Sequence, residues 1–288
     1  MMALRSRAFP GNAPGPFFVD RTCIDCGTCY TLVPEVFADA GGHSVVRRQP
    51  DGTAARHRAS LALVACPTAS IGTDDRSPVA AAAAAFPVPI EDEVSFCGYT
   101  SEASFGAWSY LVERPAGNVL VDSPRAAGPL LAALARRGGV ATMFLSHRDD
   151  VADHAAFRGR FGCERWMHRD DGVGGLERYV EGDEPVRLAR DLLVVPTPGH
   201  TAGSACLLYR DTFLFTGDHL YGRRSPGDLS ASKSLNWHSW DRQLRSLERL
   251  LDFEFRWVLP GHGAPFRAET PREMRRALER ALVRLRGL

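Results

Sequence analysis

Lysine is nearly missing from this 288-residue chain: Lys233 is the only one, and every other member of the 35 Lys and Arg is arginine. Alanine and arginine are abundant together, which reads as codon bias rather than as a set of phosphate contacts. Charge of one sign is missing too, since 34 acidic residues leave a formal net charge of +1. A dedicated nucleic-acid binder carries a basic stripe, so nucleic acid is not an expected partner. Long apolar runs are absent: the longest charge-free one, Val79 to Ile90, is mostly alanine, is broken by Pro87 and Pro89, and falls far short of the ~20 residues of a spanning helix. The opening MMALRSRAFPGNAPG lacks an apolar signal core, so no membrane partner is expected and a soluble, cytoplasmic location is. No G-x-G-x-x-G dinucleotide fingerprint is present. With 44% hydrophobic and 24% charged residues the composition is that of a globular protein, which excludes disordered, collagen-like and coiled-coil chains. The length suits about two domains at roughly 150 residues each.

The seven cysteines are an odd number, and four fall in the first quarter of the chain, which speaks for a metal or cluster rather than a disulfide framework. Cys23, Cys26 and Cys29 form C-x2-C-x2-C, and Cys66-Pro67 follows much later. Three thiolates on one tight loop and a fourth from a distant turn supply the ligands of one cubane iron–sulfur cluster. A zinc site with four thiolates is the rival, disfavoured because such sites usually pair two C-x2-C arms. Cys97, Cys163 and Cys206 lie in apolar, strand-like surroundings and take no role. His43, His57 and His168 are expected at the surface, with His168 ending an edge strand.

The segments FFVDRTCIDCGTCYTLVPEVF and ACPTASI resemble single-cluster bacterial ferredoxins over residues 15–73. The resemblance implies a small α+β fold, a short helix at Leu32 to Phe37, a strand at Ala69 to Ile71, and one [4Fe-4S] cluster on Cys23, Cys26, Cys29 and Cys66. Residues 74–92, with three prolines and six consecutive alanines, read as a connector of intermediate stiffness. From 93 to 288, short apolar runs alternate with helical periodicity, including helices over 153–161, from Ser239 and from Thr270, as in an α/β layered domain.

Four junctions at the ends of apolar runs carry the chemistry: His147-Arg-Asp149-Asp150-Val-Ala-Asp153-His154, Pro-Gly-His200-Thr-Ala-Gly-Ser, Thr-Gly-Asp218-His219 and Pro-Gly-His262-Gly. Imidazole and carboxylate donors suit zinc, iron or manganese. In this order the motifs resemble the metallo-β-lactamase superfamily, with a glyoxalase-II-like character in PTPGHTAGS, FTGD and LPGHG. The resemblance implies an αββα four-layer sandwich with two divalent ions, Zn or Fe. His147 and His200 would bind the first, Asp153, His154 and His262 the second, with Asp218 bridging; Asp153 and Asp218 would be catalytic. The first motif departs from the family's His-x-His-x-Asp-His, because Asp149 stands at the second histidine and two extra residues precede Asp153. Asp149 and Asp150 are rival ligands. Asp149 keeps the alternate-residue spacing, and Asp150 alternatively caps a following helix.

His219, after the bridging aspartate, is placed to line the pocket. The loop from Leu220 to Asp241 carries Tyr221, Arg223, Arg224, Lys233, Trp237 and His238, suited to an anionic small-molecule substrate or to a solvated turn. Three functions follow as expectations. The first is a hydrolase using metal-activated water on an ester, thioester or similar bond. The second is a diiron oxidoreductase reducing O2 or NO and fed through the cluster by an external electron donor, since a carboxylate at Asp149 also occurs in the flavodiiron branch. The third keeps the cluster as a redox sensor or structural element.

Overall fold

The computed structural model describes residues 2–223 and 227–288, so Arg224 lies outside the described residues. The chain divides into two compact units, Met1–Ala141 with Ala152–Gly162, and Thr142–Val151 with Cys163–Leu288.

The first unit opens with β1 (Phe17–Val19), α1 (Thr28–Leu32), β2 (Phe37–Asp39), β3 (Ser44–Val46), α2 (Gly52–Ala65) and β4 (Ile71–Thr73). β1 pairs antiparallel with β4, and β2 with β3. Phe17, Val19, Val33, Phe37, Val46, Ala59, Ala62 and Ile71 form a core around Cys29 and Cys66. The short helix expected at Leu32 to Phe37 lies earlier, at Thr28–Leu32, and includes Cys29. Pro34 is the reason: it pushes Val33 out of the α region, and the chain turns directly into β2. Ala69 takes φ 52, so the strand expected from 69 starts at Ile71. His57 sits on α2.

α3 (Val79–Ala85) and β5 (Val88–Glu91) form within 74–92, where the sequence suggests a connector. Alanine is the strongest helix former and Phe86-Pro87 stops the run, while Ala82 is buried where α3 packs on α2. β5 pairs antiparallel with β6 (Val94–Phe96), followed by β7 (Tyr110–Val112) and β8 (Val119–Val121) in a meander. β5 is a sheet edge, where its proline costs no ladder bond. α4 (Gly128–Arg136) and α5 (His154–Phe161) complete this unit.

The second unit begins with parallel strands β9 (Thr142–Phe144), β10 (Glu164–His168) and β11 (Arg178–Val180). It continues with β12 (Val186–Ala189), β13 (Leu192–Pro196), β14 (Ala205–Tyr209), β15 (Phe213–Gly217), β16 (Tyr221–Gly222), β17 (Leu229–Ser230), α6 (Trp240–Arg249), β18 (Trp257–Pro260), β19 (Phe266–Arg267) and α7 (Pro271–Arg286). Its larger sheet runs β12-β13-β14-β15-β18-β19. Ser239 Oγ accepts the Arg242 amide at 3.3 Å and Thr270 Oγ1 accepts that of Glu273 at 3.2 Å, so both expected helices start at their caps. Met274, Leu278, Leu282 and Leu285 make the stripe by which α7 joins Leu247 of α6 and Val195, Leu208, Leu214 and Val258 of the sheet. β10 lies between β9 and β11, so His168 ends an interior strand. It is buried, with Nε2 2.9 Å from the Gly182 carbonyl and Nδ1 accepting the Asp170 amide, which corrects the expected surface position.

Candidate metal centre and cluster pocket

The sheet directions gather the four motifs. β13 and β15 are both antiparallel to β14, and β18 is parallel to β15, so β13, β15 and β18 all end at one edge. His200, Asp218 and His262 follow those ends. The Ala205 amide donates to the Ser146 carbonyl at 2.9 Å, which brings His147, after β9, to the same edge. Close approach requires glycine at Gly217, where φ is +49 and a Cβ would lie 2.3 Å from Ser146 Oγ.

At this edge His147 Nε2 and His200 Nε2 each lie 3.9 Å from Asp149 Oδ2 and from Asp218 Oδ2. Both imidazoles are buried, whereas the Asp149 side chain is 47% exposed. Ser146 Oγ engages His147 Nδ1 at 3.0 Å, which turns Nε2 toward the carboxylates. A four-coordinate ion with bonds of about 2.1 Å spaces its ligand atoms about 3.4 Å apart, so closure by a few tenths of an ångström forms the site. His147, Asp149 and His200 form one donor group, and His147, Asp150 and Asp218 a second. The Asp150 carboxylate faces the Nδ1 side of His147 at 3.8 Å. Asp150 ends a 3-10 turn over Arg148–Asp150 and does not cap α5, whose N-cap is Asp153.

His262 donates from Nδ1 to Asp218 at 2.8 Å, and its amide does so at 3.1 Å. Burial works against a charge on Asp218, but the neighbouring imidazoles, His262 foremost, hold its carboxyl well below the usual range. Asp153 and His154 belong to the first unit and to neither donor group. Asp153 Oδ2 accepts the Ala126 amide at 2.8 Å.

Burial, then the neighbouring His147, lowers the His200 pKa to about 4, and burial, then His200, lowers that of His219 to about 3. Both His219 ring nitrogens are buried without a hydrogen-bond partner among the described residues. In the unfolded chain these imidazoles take up protons below about pH 6.5, and in the folded metal-free chain they resist doing so. Stability present above pH 6.5 is therefore lost as pH falls toward 4. Denaturant unfolding of metal-depleted protein should show a loss of up to about 2 kcal/mol per histidine between pH 6.5 and 5. His219→Phe should flatten the slope, and an unchanged slope would refute the assignment to His219.

One residue of the centre escapes a motif reading. Asp171, buried, accepts the Arg148 amide at 2.8 Å, Thr201 Oγ1 at 3.0 Å and the Gly203 amide at 2.7 Å. It thus ties the loop bearing His147 to the loop bearing His200. The one signal for it in the chain is a repeated tetrapeptide, His-Arg-Asp-Asp at 147–150 and again at 168–171. Both copies follow adjacent parallel strands and both fold as 3-10 turns.

Of the substrate-loop residues, Trp237 stands beside His200. Its amide donates to the His200 carbonyl at 2.9 Å and its ring, 58% exposed, stands 6.5 Å from the His200 ring. Tyr221 packs on Gly263 and is half-buried, and Arg223 and His238 are exposed. Lys233 Nζ instead donates to the Leu288 carbonyl at 2.7 Å.

In the first unit, Cys23, Cys26, Cys29 and Cys66 line one small pocket with Val19, Ile24 and Ile71. Ser44 and Ser70 amides donate to Cys23 and Cys66 sulfurs at 3.4 and 3.3 Å. Burial pushes the Cys26 thiol up to about 11, and that of Cys29 higher still, so thiolates form here only against a compensating cation. Zinc with Zn–S bonds of about 2.3 Å would draw four sulfurs to about 3.8 Å from one another. No three of these sulfurs lie mutually within 4.8 Å. Cys97, Cys163 and Cys206 are buried apart from this pocket.

Residues 19–73 match the family model for the 4Fe-4S single cluster domain of ferredoxin I, and residues 104–262 that of the metallo-beta-lactamase superfamily. Hydroxyacylglutathione hydrolase of Rhizobium etli is 32% identical over 126 residues, 41% of this chain and 49% of the relative, and that of Rhizobium meliloti is 32% identical over 129 residues, 42% and 50%. The chain thus spans about half the length of the curated relatives it matches. Among solved structures, a metallo-β-lactamase from Hirschia baltica superposes with TM-score 0.52 at 16% identity, covering 68% of this chain and 96% of that one. One from Pontibacter korlensis gives 0.51 at 18% identity, covering 70% and 98%. These neighbours show the fold, an α/β metallo-β-lactamase sandwich, here preceded by a small ferredoxin-like domain. No described helix is long and apolar enough to cross a membrane. The superfamily model spans more than half of the sequence, and the chain belongs to the metallo-β-lactamase superfamily.

Proposed function

We propose that this protein is a metal-dependent hydrolase of an acylated thiol or related small ester, and that Cys23, Cys26, Cys29 and Cys66 hold one four-iron cluster in the same chain. The observation that carries the hydrolase reading is buried His200 Nε2, with no hydrogen-bond partner among the described residues and 3.9 Å from a carboxylate oxygen of both Asp149 and Asp218. The relatives named hydroxyacylglutathione hydrolase support the thioester class. A divalent ion held by His147, Asp149, His200 and Asp218 would polarise the scissile carbonyl and bring the pKa of a bound water toward neutrality. With one ion only, Asp218, held ionised, orients His262 through Nδ1, the arrangement of an imidazole that carries a proton to the leaving group. Trp237 offers an apolar wall beside His200, with Arg223 as a cationic group and His238 as a hydrogen-bonding group for an acidic substrate. The reading retains Asp218 and His262 for the second ion expected from sequence, together with Asp153 and His154, and metal stoichiometry decides between one ion and two.

A ferredoxin-fed diiron oxidoreductase is the second reading, favoured by the Asp149 carboxylate in place of a histidine and by the 19–73 match. Anaerobic purification, with iron, zinc and sulfide counted per chain, separates the two. Zinc beside about four irons, with thioester hydrolysis lost on chelation and restored by metal, is the result expected of the hydrolase. About six irons and no hydrolysis would overturn it in favour of redox chemistry.

A further inference from the structure

The loop joining β6 to β7, residues 97–109, leads into the superfamily-matched segment, yet it closes on the cluster pocket within the first unit. Thr100 Oγ1, fully buried, donates to the Ala65 carbonyl at 2.6 Å, just before Cys66. Thr28 Oγ1 donates to the Gly106 carbonyl at 3.1 Å and lies 3.6 Å from Cys26 Sγ. Gly106 has φ +87, and a Cβ there would stand 2.7 Å from Cys26 Cβ and 2.8 Å from Cys26 Sγ. Backbone alone fits so close to a ligand sulfur. The turn is braced from within, with the Gly106 amide donating to the Ser101 carbonyl at 2.8 Å and the Ala107 amide to that of Ser104 at 2.9 Å.

Resting on the cluster reading above, we propose that the turn Thr100–Gly106 is the cover of the cluster. It excludes solvent from the Cys26 side and sets the cluster's reduction potential and its resistance to oxygen. The physical basis is that solvent access and hydrogen bonding at the sulfurs are the protein's main controls over such a cluster. Gly106 and Thr28 act at Cys26, and Thr100 anchors the turn to the Cys66 end. The cover comes from the β6–β7 connection, so cluster loading orders part of the sheet domain as well as the small domain.

The test uses the full chain, purified anaerobically and reconstituted with iron and sulfide. Gly106→Ala and the near-isosteric Thr100→Val should both assemble a cluster with the reduced-state EPR signal. In air that cluster should bleach about tenfold faster than in the parent, the lower end of what losing outer-shell support costs, and its potential should be displaced. Amides 101–107 of the parent should exchange with deuterium more slowly with cluster than without. A loaded parent whose Thr100→Val variant bleaches and titrates as the parent does, with amide exchange indifferent to the cluster, overturns the cover alone. A parent that takes up no four-iron cluster overturns the cluster reading, and the cover with it.

Discussion

Asp218→Ala is expected to remove the metal and with it about three orders of magnitude in kcat/KM, about 4 kcal/mol of transition-state stabilisation. Asp218 is where the centre converges: Oδ2 faces both buried imidazoles at 3.9 Å, and the carboxylate accepts two hydrogen bonds from His262. Its loss leaves two buried imidazole nitrogens facing the exposed Asp149 alone, and releases His262. Metal analysis after dialysis, with thioester hydrolysis by the same samples, measures both effects. Asp218→Ala protein that keeps its full metal content and rate would remove this residue from the centre. Asp218→Asn should keep the His262 contact in part yet still lose most of the metal, because the charge is gone while the shape remains.

Asp171→Ala is expected to weaken metal binding about 10- to 100-fold although Asp171 belongs to neither donor group, the usual cost of losing outer-shell support. The substitution strands the buried Gly203 amide at about 1–3 kcal/mol and frees the part-buried Arg148 amide, so the folded state is weakened as well. The two effects can be told apart. A purely structural role lowers the unfolding midpoint and leaves the metal Kd of the folded protein unchanged. A positioning role shifts the Kd under conditions where the variant is fully folded. Asp171→Asn, which retains one acceptor oxygen, should fall between the parent and Asp171→Ala in Kd. If both variants bind metal as the parent does, Asp171 holds the fold and not the centre.

Much of this is legible in the sequence, for reasons that differ along the chain. Helices α6 and α7 announce themselves by Ser239 and Thr270 caps and by apolar stripes, because both signals are local. α2 does not. Alanine, Val64 and Ser60 share its buried positions, and small side chains make no stripe that a periodicity reading can follow. Its signal is one of composition: Ala, Arg and Leu predominate from Ala54 until Cys66-Pro67 stops the run. The alanine run at 80–85 reads as a connector until α2 provides a surface for Ala82, since helix propensity alone does not stabilise seven residues.

The sequence by itself determined the chemistry on offer. Four cysteines in cluster spacing and four His/Asp motifs after apolar runs are local patterns, and ligand type and spacing survive without a fold to display them. Tertiary structure alone decided which donors meet. Asp149 and Asp150 are neighbours in sequence, but a 3-10 turn sends one toward the paired Nε2 atoms and the other to the Nδ1 side of His147. Gly106 carries no motif and Asp171 only the repeated His-Arg-Asp-Asp, and what each touches arises from strands and turns brought together across long stretches of chain. Close packing at strand ends is a property of the assembled sheet, and linear spacing does not encode it.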